Sequence, residues 1–382
     1  MIKTTTQFLK DFYDLFTSGL TVNEIERLIN VDTRDTYAFY IRHMKKPTEE
    51  RNRVVRFLVF CWNLFLAFLL KLTPARRLFY ALALVGLIFA LAQDSLTYAF
   101  YSFLIINFLL ALEVADKLIT RDELVLARDI QLSLLPTGIV PPPGYEIAAY
   151  SDVAKSVGGD YYDVLRLDDG STLLVIGDVS GKGISAALYM VKVQTTLQLL
   201  IKESMDPREL LIRLNRYLYG HLKKSYFLTV ALAQIYPEGR FNYCRAGHTA
   251  AILFDSRKGA FVRLQPHGAA LGITSSEGDS GENAAGQSAV SQPARLYGET
   301  LEIHSASLEP GDVMLLFTDG VIDTVNTSQQ EFGERRVTDV LMRHHTSSAE
   351  TIKTALVEEL ASFRSAAELR DDTTFVVLKR TA

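Results

Sequence analysis

Four short segments rich in aspartate and glycine carry the candidate chemistry of this sequence. They are Gly158-Gly159-Asp160-Tyr161-Tyr162-Asp163, Gly177-Asp178-Val179-Ser180-Gly181-Lys182-Gly183, Thr318-Asp319-Gly320 and Asp371-Asp372-Thr373-Thr374. Each borders a short apolar run of strand type, so the carboxylates fall at strand ends, where residues distant in sequence can converge. Carboxylates brought within a few ångströms repel one another and take up protons unless a cation neutralises them. Oxygen-only ligands select hard ions such as magnesium or manganese over zinc, and adjacent glycines let backbone carbonyls and water approach closely. Taken singly, each segment also reads as an ordinary turn, because Asp-Gly is turn chemistry.

Two other phosphate chemistries fail, one on spacing and one on residue type. Only three residues separate Gly177 from Gly181-Lys182, and Gly183 stands where a nucleotide-binding P-loop needs Ser or Thr for magnesium. Gly158-Gly159-Asp160 is shared with diguanylate cyclases, but Tyr161-Tyr162 replaces the acid and aromatic pair of that family.

The elements that must position these groups follow from the hydrophobic pattern. After a Pro/Gly-rich stretch at 138–144, short strand-like runs occupy 145–150, 161–167, 171–179, 227–236, 240–245, 250–254 and 261–264. Turns such as Asp168-Asp169-Gly170 and Pro237-Glu238-Gly239 separate several of them. Helices are expected at 184–202, 207–221, 334–344 and 349–364, and further strands at 301–304, 312–317 and 374–378. A Ser/Gly/Ala/Gln tract within 274–297 is too polar to pack and reads as a flexible insertion. Strand runs followed by helix pairs argue an α+β fold with mainly antiparallel sheets.

In order, these motifs resemble the SpoIIE-like (RsbU-like) branch of the metal-dependent PPM, or type-2C, protein serine/threonine phosphatases. The resemblance runs from Ala127-Arg128-Asp129-Ile130-Gln131 and Leu134-Leu135-Pro136 through the two glycine-rich acidic segments, Ala246-Gly247-His248, Leu271-Gly272-Ile273, Pro310-Gly311-Asp312 and Thr318-Asp319-Gly320 to Asp371-Asp372-Thr373-Thr374. It implies a PPM-type α-β-β-α sandwich, two antiparallel sheets flanked by helices, with a dimetal centre at one edge. Asp178 would bridge two divalent ions, Mn2+ or Mg2+, with Val179 offering its backbone carbonyl. Asp160 would hold one ion, and Asp319 and Asp371 the other. Asp163, Asp323 and Asp372 are alternative ligands or acceptors behind them. Asp323 stands where the family often has Glu, and the insertion before Leu301 looks longer than usual. The implied reaction is hydrolysis of phosphoserine or phosphothreonine by water activated between the two ions, without a phosphoenzyme. The implied partner is a phosphorylated anti-sigma antagonist of the STAS type. A catalytically weak phosphoprotein-binding module and a hydrolase of small phosphate esters are the alternatives.

Two further groups have both a functional and a structural reading. His248 could protonate the leaving alkoxide, but a structural role for the Ala-Gly-His turn is the preferred reading. Lys182, with the amides of Gly181 and Gly183 at a helix start, suits a phosphate oxygen, or it is a solvated lysine on a tight turn.

The 382 residues are 48% apolar with a net charge of −4, which supports a sizeable core and offers no basic footprint for nucleic acid. Cys61 and Cys244 are the two cysteines, too few for a disulfide framework or a cysteine zinc site. Residues 1–53 read as polar, amphipathic helices. Within 54–112, apolar runs at 57–70, 78–92 and 96–112 point to membrane helices, each rather short, with a buried soluble hairpin as the alternative. Arg76 and Arg77 place the connector between the first two runs in the cytoplasm, so the third run returns the chain there. The cations Lys45, Lys46, Arg51, Arg53 and Arg56 conflict with three full spans, which leaves the first run interfacial or re-entrant, or the charge rule broken at one end. The expected location is therefore a bacterial inner membrane, with residues 138–382 as a phosphatase domain facing the cytoplasm. Residues 113–137 form a charged linker helix whose Ala127, Ile130 and Leu134 make a seam. That seam either packs on its own domain or pairs two copies of the chain.

Overall fold

The absence of Gly and Pro between residues 96 and 134 lets one helix run uninterrupted, which is the first feature the structure adds. This computed structural model describes residues 53–136, 138–202, 206–223, 225–273 and 297–382. The helices expected in 1–52 and nearly all of the insertion lie outside the described residues. The chain divides into two units, Met1–Ile119 and Thr120–Ala382.

The first unit contains α1 (Arg53–Lys71), α2 (Pro74–Ala92) and the first part of α3 (Leu96–Leu134). Arg77 donates from Nε to the Leu69 carbonyl at 3.0 Å and from Nη2 to that of Leu72 at 3.2 Å, satisfying groups left over at the end of α1. Pro74 sits in the first turn of α2, where its missing N–H costs nothing. Arg76 donates to Glu113 at 3.0 Å and to Asp116 at 2.6 Å, tying the start of α2 to α3. Gly86 lets the helices meet closely, since a Cβ there would collide with Ser102 Oγ. Both α2 and α3 are long and apolar enough to cross a membrane, and only 11% and 6% of their apolar windows are buried. Helix α1 contributes a shorter apolar helix, Phe57–Lys71. The charged linker stretch continues the apolar part of α3 as one helix, whose 39 residues span ~58 Å and stop just before Pro136.

In the second unit, β1 (Tyr145–Asp152), β10 (Thr373–Arg380), β9 (Val313–Phe317), β6 (Ala251–Asp255) and β7 (Ala260–Leu264) form one sheet in that order. The other sheet runs β2 (Asp160–Arg166), β3 (Thr172–Val179), β4 (Leu228–Ile235), β5 (Arg240–Ala246) and β8 (Ile303–Ser307). Every strand pairing within the sheets is antiparallel. The period-two alternation of β3 builds two layers at once. Leu174 and Ile176 face the other sheet and join Ala231, Ala233, Met314, Leu316 and Leu378 in the core between the sheets. Leu173, Val175 and Val179 face outward onto α4 (Ile184–Leu200) and α5 (Pro207–Tyr219). On the far side, Leu315, Phe317, Phe375 and Val377 pack beneath α7 (Gly333–His344) and α8 (Ala349–Arg364), which follow a one-turn helix α6 (Asp319–Ile322). This is the α-β-β-α sandwich expected from the motifs. The expected strand at 301–304 begins later, at Ile303, because Leu301 is buried after the 3-10 turn Tyr297–Thr300.

Candidate functional site

The acidic segments converge because both sheets end at the same edge. Asp160 opens β2 and stands opposite Asp178, near the end of β3, in the antiparallel register. In the other sheet, β9 ends at Phe317 opposite Phe375 of β10, so Thr318-Asp319 and Asp371-Asp372 are neighbours. Thr318 joins the two sheets. Its N–H donates to the Thr374 carbonyl at 2.9 Å and its hydroxyl to Asp160 Oδ2 at 2.9 Å.

The glycines are required by close approach. A Cβ on Gly159 would stand 2.7 Å from the Val179 carbonyl oxygen and 3.0 Å from Asp178 Oδ1. A Cβ on Gly158 would collide with Asp372 Oδ2. Asp372 faces this loop: Oδ1 accepts from Ala154 N at 2.9 Å and Oδ2 from Gly159 N at 2.7 Å. On the loop's other side Gln131, buried at the end of α3, donates to the Gly158 carbonyl at 2.7 Å and accepts from its N–H at 3.1 Å. The path of Gly158-Gly159 into Asp160 is thus held from two directions.

Burial and mutual repulsion govern the charges. Asp178 is pushed up to about 7, first by burial and then by the nearby charges of Asp319, Asp371 and Asp372, while Lys182 opposes the rise. Asp160 is raised well above the usual carboxylate range by burial, then by Asp178 and Asp372, against hydrogen bonds from Thr374 and Thr318. Asp319 is raised by burial and by Asp371. These groups affect one another's ionisation, so a cation would stabilise the ionised set. The donor chemistry fits a hard divalent ion: carboxylates of Asp160, Asp178, Asp319 and Asp371, with the Val179 carbonyl beside Gly159 where a side chain would block approach. As the side chains are placed, no three acidic, histidine or cysteine groups among the described residues close on a single point. Lys182 instead donates to Asp371 Oδ2 at 2.7 Å and to the Arg370 carbonyl at 2.8 Å.

The remaining candidates separate clearly. Asp163 is three residues from Asp160 on one strand and so faces the opposite side. There it accepts from the Tyr161 hydroxyl at 2.9 Å, Val164 N at 2.9 Å and Gln198 Nε2 at 3.3 Å, which gives it a role in packing β2 against α4. Asp323 is exposed one turn after Asp319 and is raised by burial, then by Asp319, Glu331 and Asp371. Gly181 (φ 100°) and Gly183 (φ 76°) adopt left-handed backbone on either side of Lys182, immediately before α4. His248 is 3% exposed, and its Nδ1 lies 3.0 Å from the Thr229 hydroxyl. Burial and then the Arg245 charge push it down to about 3, so it is a neutral imidazole under the site. Its Nε2 has no hydrogen-bond partner among the described residues, although it lies near the Phe317 backbone. The preferred structural reading of His248 fits this position.

Three contributors lack a role in the sequence reading: Thr318, which bridges the sheets, Thr229, which holds His248, and Gln131. Thr318 was visible as the residue before Asp319-Gly320, and Gln131 as part of the motif preceding Leu134-Leu135-Pro136.

Known proteins resemble this chain in sequence and fold. The chain is 29% identical over 262 residues to the phosphoserine phosphatase RsbU of Bacillus subtilis, covering 68% of this chain and 70% of that one. It is 27% identical over 270 residues to the phosphoserine phosphatase RsbP of the same organism, covering 69% of this chain and 59% of RsbP. The SiaA-PP2C domain of Pseudomonas aeruginosa superposes with a TM-score of 0.56 at 21% identity, over 69% of this chain and 98% of that domain, which establishes a common fold. Residues 168–381 match the family model of stage II sporulation protein E, and the chain therefore belongs to the SpoIIE family of PP2C-type, metal-dependent protein serine/threonine phosphatases.

Proposed function

We propose that this chain is a membrane-anchored phosphatase that hydrolyses phosphoserine or phosphothreonine on a regulatory partner protein. The observation that carries the proposal is that the fold brings Asp160 and Asp178 from one sheet and Asp319 and Asp371 from the other to a single edge, where burial and neighbouring carboxylates push the carboxyls of Asp160, Asp178 and Asp319 upward. Asp178 would be shared between two divalent ions, with Asp160 and the Val179 carbonyl on one side and Asp319 and Asp371 on the other. Two Mn2+ or Mg2+ ions would supply Lewis acidity to the phosphoryl oxygens and an activated water. The chain's own groups do the rest. Thr318 holds Asp160, Asp372 and Gln131 hold the loop that delivers it, and the Gly181 and Gly183 amides with Lys182 receive a phosphate oxygen. The sequence retains all four aspartates expected of the metal centre, which favours an enzyme over a silent phosphoprotein receptor.

RsbU and RsbP are phosphoserine phosphatases, which supports a phosphoserine substrate here, and a phosphorylated STAS-type antagonist is the partner we infer. Helices α2 and α3 would cross the bacterial inner membrane as a hairpin, a reading supported by their outward apolar faces. The Arg76 contacts to Glu113 and Asp116 put those two ends at one level, and the Arg76-Arg77 pair assigns that level to the cytoplasm. The shorter apolar helix in α1 would lie at the interface, which removes the conflict with its flanking cations. Comparing the phosphoproteomes of cells with the intact chain and with Asp178→Asn tests the substrate. A serine or threonine phosphopeptide from a regulatory protein should accumulate in the variant, and identical profiles would refute the proposal.

A further inference from the structure

We infer that Lys182 is a built-in competitor for the metal centre: its ammonium pairs with Asp371, a divalent ion must displace it to use that carboxylate, and the released lysine then serves the substrate phosphate. This rests on the proposed metal site and adds to it a control over metal affinity.

The geometry supports the exchange. Lys182 Nζ is 2.7 Å from Asp371 Oδ2 and 2.8 Å from the Arg370 carbonyl, so the ammonium occupies one oxygen of this carboxylate while the other accepts from Asp372 N at 3.1 Å. Both side chains are 46% exposed, and an ion pair this open to water is readily displaced.

The backbone beneath is anchored, while the side chain is held through its exposed ammonium contacts to Asp371 and Arg370. Ser180 N donates to the Phe227 carbonyl at 2.9 Å and Phe227 N to the Ser180 hydroxyl at 2.8 Å, which fixes the entry to the turn. Gly183 then caps α4, and the turn between it and Gly181 leaves the four-carbon stem of Lys182 free to swing. An ammonium and a divalent cation cannot share one carboxylate oxygen without strong repulsion. Metal loading therefore ejects Lys182 from Asp371, and at that point it is a phosphate donor beside the Gly181 and Gly183 amides. By reciprocity, anything that attracts the ammonium elsewhere tightens metal binding.

The test is direct metal binding by the full-length chain in detergent micelles, read from the loss of the free Mn2+ electron paramagnetic resonance signal. Lys182→Met should tighten the weaker Mn2+ site about twofold to fivefold, the range of an exposed ion pair. Lys182→Arg, which keeps the cation, should stay near the unsubstituted protein. In an Asp371→Asn background, Lys182→Met should no longer alter Mn2+ affinity. Equal or weaker Mn2+ binding by a folded Lys182→Met chain overturns the inference, as does an undiminished effect of Lys182→Met when Asp371 is already Asn. Asp178→Asn separates the two levels. If it binds Mn2+ as the unsubstituted chain does, the metal-site reading itself fails. If Mn2+ binding depends on Asp178 but ignores Lys182, only the competition fails.

Discussion

Gly159→Ala adds one methyl group at the tightest point of the proposed cradle. The new Cβ would sit 2.7 Å from the Val179 carbonyl oxygen, 3.0 Å from Asp178 Oδ1 and 3.3 Å from Ala186 Cβ. The nearest is backbone at the close of β3 and the farthest is a Cβ in the first turn of α4, neither of which can rotate aside, and the third is the central carboxylate itself. Relief requires moving them apart by several tenths of an ångström, and overpacking of this kind costs about 1–3 kcal/mol. The moved atoms are the proposed ligands, and a misplacement near ~1 Å can cost about a hundredfold in rate. Gly159→Ala should therefore lose tenfold to about a hundredfold in aryl phosphate hydrolysis and bind Mn2+ more weakly, while still unfolding cooperatively. Gly170→Ala is the control. Gly170 has φ 82° and nothing within 4 Å of its added Cβ, so it should lose about 1 kcal/mol of stability from backbone strain and retain its activity. Unchanged rate and Mn2+ affinity in Gly159→Ala would refute the assignment of Asp178 and the Val179 carbonyl to the metal centre.

Other consequences follow from burial and charge. His248→Ala should lose less than about tenfold in rate, because a neutral buried imidazole does not deliver the catalytic proton, but should lower the melting temperature by exposing Thr229 and leaving a void. A loss near a thousandfold with unchanged melting would reverse that role. In chelator, the raised carboxyl of Asp178 is protonated in the folded chain at pH values where it is ionised in the unfolded chain. Its contribution to stability is then fully present below pH ~4 and declines as pH rises through about 7. Melting curves in chelator should show this decline, Asp178→Asn should flatten it, and equal slopes for both proteins would contradict the shift. Ile130 is 54% exposed on α3, whereas Gln131 beside it is buried against Gly158. Ile130→Asp should leave melting within about 0.5 kcal/mol of the parent and reduce crosslinking between Cys-substituted copies along α3 if the seam pairs two chains. Unaltered crosslinking would mean that this face does not associate.

The sandwich was legible because its strands alternate cleanly and their turns carry Gly and Asp at the right places, as in Asp168-Asp169-Gly170. The acidic edge was legible for a related reason, since each carboxylate lies at a strand end. Individual roles were less so. Asp371 and Asp372 are adjacent and chemically identical, and only the fold shows one meeting Lys182 and the other holding Ala154 and Gly159. Asp163 could have been set aside by parity, because three residues along a strand reverse the facing side. The expected seam of Ala127, Ile130 and Leu134 divides, with Ile130 outward and Ala127 and Leu134 partly covered, because Gln131 turns that side of α3 toward the site loop. The change from apolar to charged residues near 113 marks a change of surroundings within one helix, since nothing there breaks it.

The most direct measurement is hydrolysis of a phosphoserine peptide by the full-length chain with Mn2+, set beside Asp178→Asn and Asp319→Asn under the same conditions and with chelator. The account predicts turnover by the parent, its abolition by chelator, and a loss of several orders of magnitude in each variant with folding retained. Parent-like hydrolysis by Asp178→Asn, or turnover that persists in chelator, would contradict it.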